Sequence, residues 1–438
     1  LPDRTVPVYS RAEVLSQGER ALKADWPALP ATLFLDFTRT GNRRAYEVPH
    51  FARRYLLADL VLAECVAGDG RHMDAITNAT WSLCEESFWG IPAHAHLQRT
   101  SIGLPDTAAP AVDLFAAETA ALLAWSDYLL GDAFDAVSPV IRPRLAREIE
   151  HRMLTPCLLR DDFWWLAIQS RKTNNWTPWI VSNWLACNLL FEPDPARRCA
   201  AVLRALRSLD AFIDHTPDDG GCDEGPSYWG RAGAALFDAL EILRSATNGA
   251  ADVFAEPKIR EIARFICRAH IADRWFINFA DAPARLRPNG PLIFRFGRAV
   301  EDADLTRFGA YAQSPVRPGS GAYAQLLSKG GRTGVDSLPR YLPALFTQAA
   351  LRQVPPAAPL LRDVWLPLTQ VMAARSRAGS AAGLFLAAKG GHNAESHNHN
   401  DIGQFVVFAE GRPVLVDAGV ETYSRKTFGP DRYSIWTM

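Results

Sequence analysis

Residues 384–419 read LFLAAKGGHNAESHNHNDIGQFVVFAEGRPVLVDAG, and this stretch decides the fold. Three short β-prone runs, Leu384–Ala388, Gln404–Phe408 and Pro413–Val416, are set apart by polar or Gly-containing segments. Gly390-Gly391 and Glu410-Gly411 read as turns, the second closing a hairpin between Phe408 and Val414. The chain before this stretch is patterned differently. From about residue 50 to about 375 apolar residues recur at three- and four-residue spacing, over Phe51–Ala67, Met73–Cys84, Leu114–Leu130, Ile141–Leu154, Val202–Phe212, Ala232–Ile242 and Ile259–Ile271. Gly68-Asp69-Gly70, Gly131-Asp132, Pro193-Asp194-Pro195 and residues 217–221 (PDDGG) break the pattern between them. Pro195 and Pro257 suit the first turn of a helix, where the missing N–H is not needed. Consecutive helices with short connections predict helical hairpins around a shared core, without a fixed-period repeat. The expected organisation is a helical domain over residues 1–375, then a β region over 376–438. Two or three strands are too few for an independent sheet, so the expectation is a β domain that is cut short at Met438.

Composition narrows the function classes. The 438 residues carry 47 Lys+Arg and 48 Asp+Glu, a formal net charge of −1 that argues against bulk binding to nucleic acid or an anionic membrane. No run approaches the roughly 18 apolar residues of a membrane span. The seven cysteines cannot all pair and form no CxxC, so they read mostly as small hydrophobes. The chain opens at Leu1 with no charged-then-apolar leader, which leaves the secretion route unread. Thirteen tryptophans and ten tyrosines are mostly core material, but some suit stacking on flat ligand faces. P-loop, GxGxxG, GxSxG and HExxH patterns are all missing, so nucleotide, hydride and serine-ester chemistries lack support.

Three segments carry candidate chemistry. In Glu395-Ser396-His397-Asn398-His399-Asn400-Asp401, an extended backbone would put His397 and His399 on one face. Hairpin pairing could bring Asp417 beside His399, and two imidazoles with a carboxylate suit zinc or manganese. The plainer reading is a polar turn capping strand ends. Thr173-Asn174-Asn175-Trp176-Thr177-Pro178-Trp179 opens an apolar helix, where paired amides and indoles suit a sugar acid, or equally a helix-start loop. In residues 219–229 (DGGCDEGPSYW) a Gly-rich loop enters a helix at Pro226, and the helix dipole would lower the phenol pKa of Tyr228. Glu224 and Trp229 beside it are candidate substrate contacts; a packed aromatic in a glycine-shaped turn is the alternative. His94, His96 and Arg99 form a further loop that could meet an anionic ligand or simply be solvated.

Together these pieces resemble the heparinase II/III family of polysaccharide lyases, over most of the chain. The resemblance rests on Asn174-Asn175-Trp176, Glu224-Gly225-Pro226-Ser227-Tyr228 and Ser396-His397-Asn398-His399-Asn400-Asp401, followed by Val416-Asp417-Ala418-Gly419. It implies a mainly α fold, an incomplete α/α toroid followed by an antiparallel β-sandwich domain. The implied reaction is β-elimination on a uronic-acid polysaccharide, such as hyaluronan, chondroitin, heparan sulfate or alginate, in the periplasm or outside the cell. By the same resemblance Asn174 and Asn175 neutralise the uronate carboxylate, and Tyr228 is the base, the acid or both. His397 assists at C5 or orients substrate; His399 and Asp417 are ligands of a zinc or manganese ion that braces the β strands. Relatives acting on both uronate epimers often carry histidine where this chain has Asn175, which leaves syn or anti elimination open. A glycoside hydrolase on a similar scaffold would need a carboxylate pair, with Asp223, Glu224 and Asp281 as candidates. A non-catalytic acidic-glycan-binding protein would keep the cleft alone.

Overall fold

The computed structural model describes residues 10–99, 103–169, 173–313, 338–400 and 402–435. The chain is mainly helical, and its longer strands come late. The seven periodic segments lie on helices Arg44–Ala67, Met73–Glu85, Leu114–Val137, Ile141–Ile149 with a π turn to Leu154, Pro195–His215, Gly233–Ala246 and Pro257–Arg268, except that the end of the last one, His270 and Ile271, is strand and not helix. Pro195 and Pro257 each open their helix as expected. Helices Arg11–Leu22, Ala31–Thr40, Gly290–Ala299, Ala303–Gln313 and Leu338–Arg352 were not read from the sequence. No described helix is long and apolar enough to cross a membrane.

Two compact units emerge. The first comprises Leu1–Gln169, Ile180–Arg207 and Pro315–Phe346. Its core includes Leu57, Val61, Ile76, Leu83 and Leu123, all fully buried on the inner stripes of their helices. Glu86 lies in this unit with Arg53 Nη1 at 3.0 Å and Arg54 Nη2 at 2.5 Å, a buried charge that two guanidinium groups neutralise.

The second unit comprises Ser170–Trp179, Ser208–Ser314 and Thr347–Met438. It contains a small hairpin, β1 (His270–Ala272) and β2 (Trp275–Phe276), and a five-stranded antiparallel sheet. The sheet strands are β3 (Asp363–Leu366), β4 (Val371–Arg375), β5 (Leu384–Lys389), β6 (Phe405–Ala409) and β7 (Arg412–Leu415), paired in chain order. The last three match the expected runs. β3 and β4 correct the expectation that residues up to about 375 are helical. Met372-Ala373-Ala374 has no side-chain signal that separates helix from strand, and β3 has only four residues. Side chains alternate across the sheet. Ala373, Phe385, Ala387, Val406 and Phe408 face inward onto Ile271, Ile277 and Phe279, forming one apolar cluster with the hairpin. Arg375 fastens the same contact, its Nη2 donating to the Ile271 carbonyl at 3.0 Å.

Candidate active site

The loop before the Tyr228 segment is shaped by glycine. Gly225 has φ +91°, and a Cβ there would lie 2.8 Å from the Phe279 carbonyl oxygen. That backbone turns the chain into a single helical turn, Pro226–Trp229. Four residues make a small dipole, and what distinguishes Tyr228 is its position. The Tyr228 ring lies 4.6 Å from the His397 ring, and its hydroxyl is 2.6 Å from that of Tyr423.

The His397-Asn398-His399 segment is a turn, with His397 at φ +56°, and not the extended strand on which a shared face was argued. Both imidazoles nonetheless reach one carboxylate. Asp281 Oδ2 lies 2.6 Å from His397 Nδ1, and Asp281 Oδ1 lies 2.9 Å from His399 Nε2. Tyr423 donates its hydroxyl to Oδ2 at 2.9 Å, and Arg432 donates from Nη2 to Oδ1 at 3.0 Å. Arg432 also holds the turn, donating to the His397 carbonyl at 3.0 Å and from Nε to the Asn398 carbonyl at 3.2 Å. Asp401 of this motif lies outside the described residues.

Glu224 connects the Asn174-Asn175 segment to the same place. Its Oε1 accepts the Asn175 backbone N–H at 3.2 Å, and its Oε2 lies 3.5 Å from His397 Nε2. Neither Glu224 Oε2 nor Asn175 Oδ1, both buried, has a hydrogen-bond partner among the described residues. Asn174 Oδ1 accepts the Trp176 N–H at 2.9 Å, so this side chain caps helix Trp176–Phe191. Trp176 is half-buried beside it.

Charge follows from burial and pairing. Burial pushes the Glu224 carboxyl up to about 7, against the pull of the His397 charge. Burial also raises Asp223, although the Ser396 N–H and His397 favour its anion. Asp281 is raised by burial too, but hydrogen bonds from His397 and His399, and the Arg432 charge, hold it well below the usual carboxylate range. For His397 burial works downward, and Glu224 and Asp281 outweigh it, leaving the imidazole more basic than usual. Tyr423 is held far above an ordinary phenol, first by burial and then by Tyr228 and Asp281.

The other expected residues each have partners of their own. Trp229 is 3% exposed, donates its Nε1–H to the Ile262 carbonyl at 2.7 Å and stacks on Phe296, which leaves no open face for a sugar ring. His94, His96 and Arg99 belong to the first unit. There His94 Nδ1 pairs with Asp113 at 2.8 Å, exposed His96 sits 3.3 Å from the Ala93 carbonyl, and exposed Arg99 pairs with Asp162.

For a metal, His399 fits. Its Nε2 faces Asp281 while its Nδ1 is buried without a partner, the arrangement of a ligating histidine with its outer carboxylate. Asp417 is engaged by amides, accepting from the Gly419 N–H at 2.6 Å and Gln404 Nε2 at 2.9 Å. His399 and Asp417 are not part of a three-ligand group among the described residues. Such a group occurs in the first unit, at Glu64, Asp69 and His72, with ligand atoms within 4.8 Å of one another. Glu64 there accepts the Gly70 N–H at 2.7 Å and the His72 N–H at 3.2 Å, closing a loop between two helices.

Sequence reasoning singled out Asp281 only as a hydrolase candidate and missed Tyr423 and Arg432. Asp281 stands in Phe279-Ala280-Asp281-Ala282-Pro283, and its four partners are 116 to 151 residues further along. No local pattern announces such a group.

The fold is that of heparinase-like polysaccharide lyases. The chain is similar to a crystal structure of heparinase III, with TM-score 0.61 and 13% identity, covering 94% of this chain and 55% of that one. A second heparinase III, with methylated lysines, gives 0.54 and 14%, covering 97% and 60%. Heparan sulfate lyase HepC from Pedobacter heparinus gives 0.50 and 13%, covering 94% and 62%. The chain thus spans between about half and two thirds of the length of these structures. No family model and no curated protein matches the sequence.

Proposed function

We propose that this chain carries the active site of a lyase that cleaves uronic-acid-containing polysaccharides by β-elimination. The observation that carries this reading is the approach of Tyr228 to His397, 4.6 Å between rings, with Glu224 bridging to Asn175. The reaction is difficult because removing the C5 proton adds negative charge beside an existing carboxylate. Amide donors of Asn174 and Asn175 would offset that charge as it develops. Tyr228 and His397 would then move protons at C5 and at the departing O4 oxygen. A basic His397 adds a cation beside the substrate acid, and a neutral Glu224 avoids repelling it. The substrates proposed are glycosaminoglycans, heparan sulfate among them, or alginate, met in the periplasm or outside the cell.

The metal proposed is zinc or manganese, with His399 Nδ1 and Asp417 as its ligands in this chain. When bound it would brace the β strands, and no proton transfer is assigned to it.

Hydrolysis is the less favoured chemistry, because Asp281 is committed to four donors and Asp223 Oδ2 accepts the Ser396 N–H at 3.1 Å. The test is turnover of heparan sulfate, hyaluronan, chondroitin and alginate, followed by the ultraviolet absorbance of a new C4–C5 double bond. Wild-type protein should generate the chromophore, and Tyr228→Phe should lose it by about a hundredfold or more with an unchanged circular dichroism spectrum. New reducing ends without the chromophore would overturn the lyase reading, and full activity in Tyr228→Phe would remove this residue from it.

A further inference from the structure

We propose that Asp281 is a positioning residue that fixes where the protons stand on His397, His399, Tyr423 and Tyr228. The inference rests on the lyase reading for its catalytic meaning, but not for its geometry. The Asp281 side chain has no exposed surface, and its two oxygens face four hydrogen-bearing groups, of which the Arg432 guanidinium can only donate, so the carboxylate is the common acceptor. Every partner must therefore donate. When the ring is neutral, His397 carries its hydrogen on Nδ1, 2.6 Å away, which leaves Nε2, on the Glu224 side, as the ring atom that can serve a substrate. His399 carries its hydrogen on Nε2, which leaves the partnerless Nδ1 as a lone pair when the ring is neutral. Tyr423 has one hydroxyl hydrogen and gives it to Asp281 at 2.9 Å. Toward Tyr228, 2.6 Å away, the Tyr423 oxygen then accepts, so the Tyr228 hydroxyl is the donor of that pair.

One carboxylate thus sets the starting proton arrangement on both sides of the Tyr228–His397 contact. The groups facing it are the two histidines, Tyr423 and Arg432, with Glu224 on the far edge of His397. Arg432 supplies the positive charge that keeps Asp281 an acceptor while its other donors pin the turn. In Asp281→Asn one of the two acceptor oxygens becomes an NH2 donor. The proton placement should therefore fail on at least one of the two imidazoles, which face different oxygens.

The test is two-armed. Protein labelled with [15N]histidine is examined by long-range 1H–15N spectroscopy at alkaline pH, without substrate. The wild type should show one ring protonated on Nδ1 and one on Nε2, assigned by comparison with His397→Gln and His399→Gln. The Asp281→Asn spectrum should lose at least one of the two signatures, and Tyr423→Phe should keep both. In the second arm, Tyr423→Phe should lower kcat on heparan sulfate by about tenfold with KM unchanged, as expected for lost orientation. A wild-type spectrum with the opposite tautomers overturns the proposal even if Asp281→Asn fails to fold. So does Asp281→Asn with both signatures intact, or Tyr423→Phe with kcat unchanged. Correct tautomers in a protein that gives no chromophore would instead remove the lyase reading and leave the Asp281 assignment standing.

Discussion

Glu224 is a carboxylic acid with a 2% exposed side chain and one oxygen that no donor reaches. Burial raises it from the ordinary 4.5 to about 7, so the folded protein keeps this proton to higher pH than the unfolded chain. Stability from this group is therefore fully present below about pH 4.5 and declines as pH rises through 7. Above that, holding the buried anion costs about 3 kcal/mol at most. Glu224→Gln keeps an oxygen for the Asn175 N–H and removes the charge. It should match wild type in urea unfolding near pH 4.5 and become the more stable protein by pH 8. A stability difference that does not widen between those two pH values would show that Glu224 is not buried as a titrating acid. The presence of Glu224 in its motif was legible in the sequence; its burial beneath His397 was not, because that contact joins residues 173 positions apart in the chain.

At the scale of elements, periodicity carried most of the information. Segments such as Pro257–Arg268 place Ile259, Ile262, Ala263 and Ile266 on one buried stripe, and that spacing is visible without coordinates. Val371–Arg375 is a strand because Ala373 packs under the sheet with Phe385, a contact that Ala-rich sequence does not announce. The turn carrying Tyr228 is set by Gly225, whose positive φ suits glycine and whose missing Cβ admits the Phe279 carbonyl. Gly225→Ala should therefore cost about 1–3 kcal/mol in backbone strain and displace Tyr228 from His397. The expected outcome is a lower melting temperature together with a fall in kcat. A variant that loses stability but keeps wild-type kcat would mean that this turn does not position the phenol.

At the scale of the whole molecule, helices first and an antiparallel sheet afterward could be read from the change in hydrophobic period alone. What could not be read is how the second unit ties its sheet to the β1–β2 hairpin region. Asn278, just after β2, donates to Asp417 Oδ1 at 3.4 Å, and Gln404, just before β6, donates to Oδ2 at 2.9 Å. His399 joins from the preceding turn, through Asp281. A zinc or manganese ion on His399 Nδ1 and Asp417 would add one tie among segments well separated in the chain. An ion that binds only the folded state adds about 3 kcal/mol when present at a hundred times its dissociation constant. Purified protein should therefore contain about one equivalent of metal, by the two-ligand argument above, and chelation should lower the melting temperature reversibly. Asp417→Asn should reduce the metal content and make melting insensitive to chelator. Metal-free protein with an unchanged melting temperature would show that amide hydrogen bonds alone close this part of the fold.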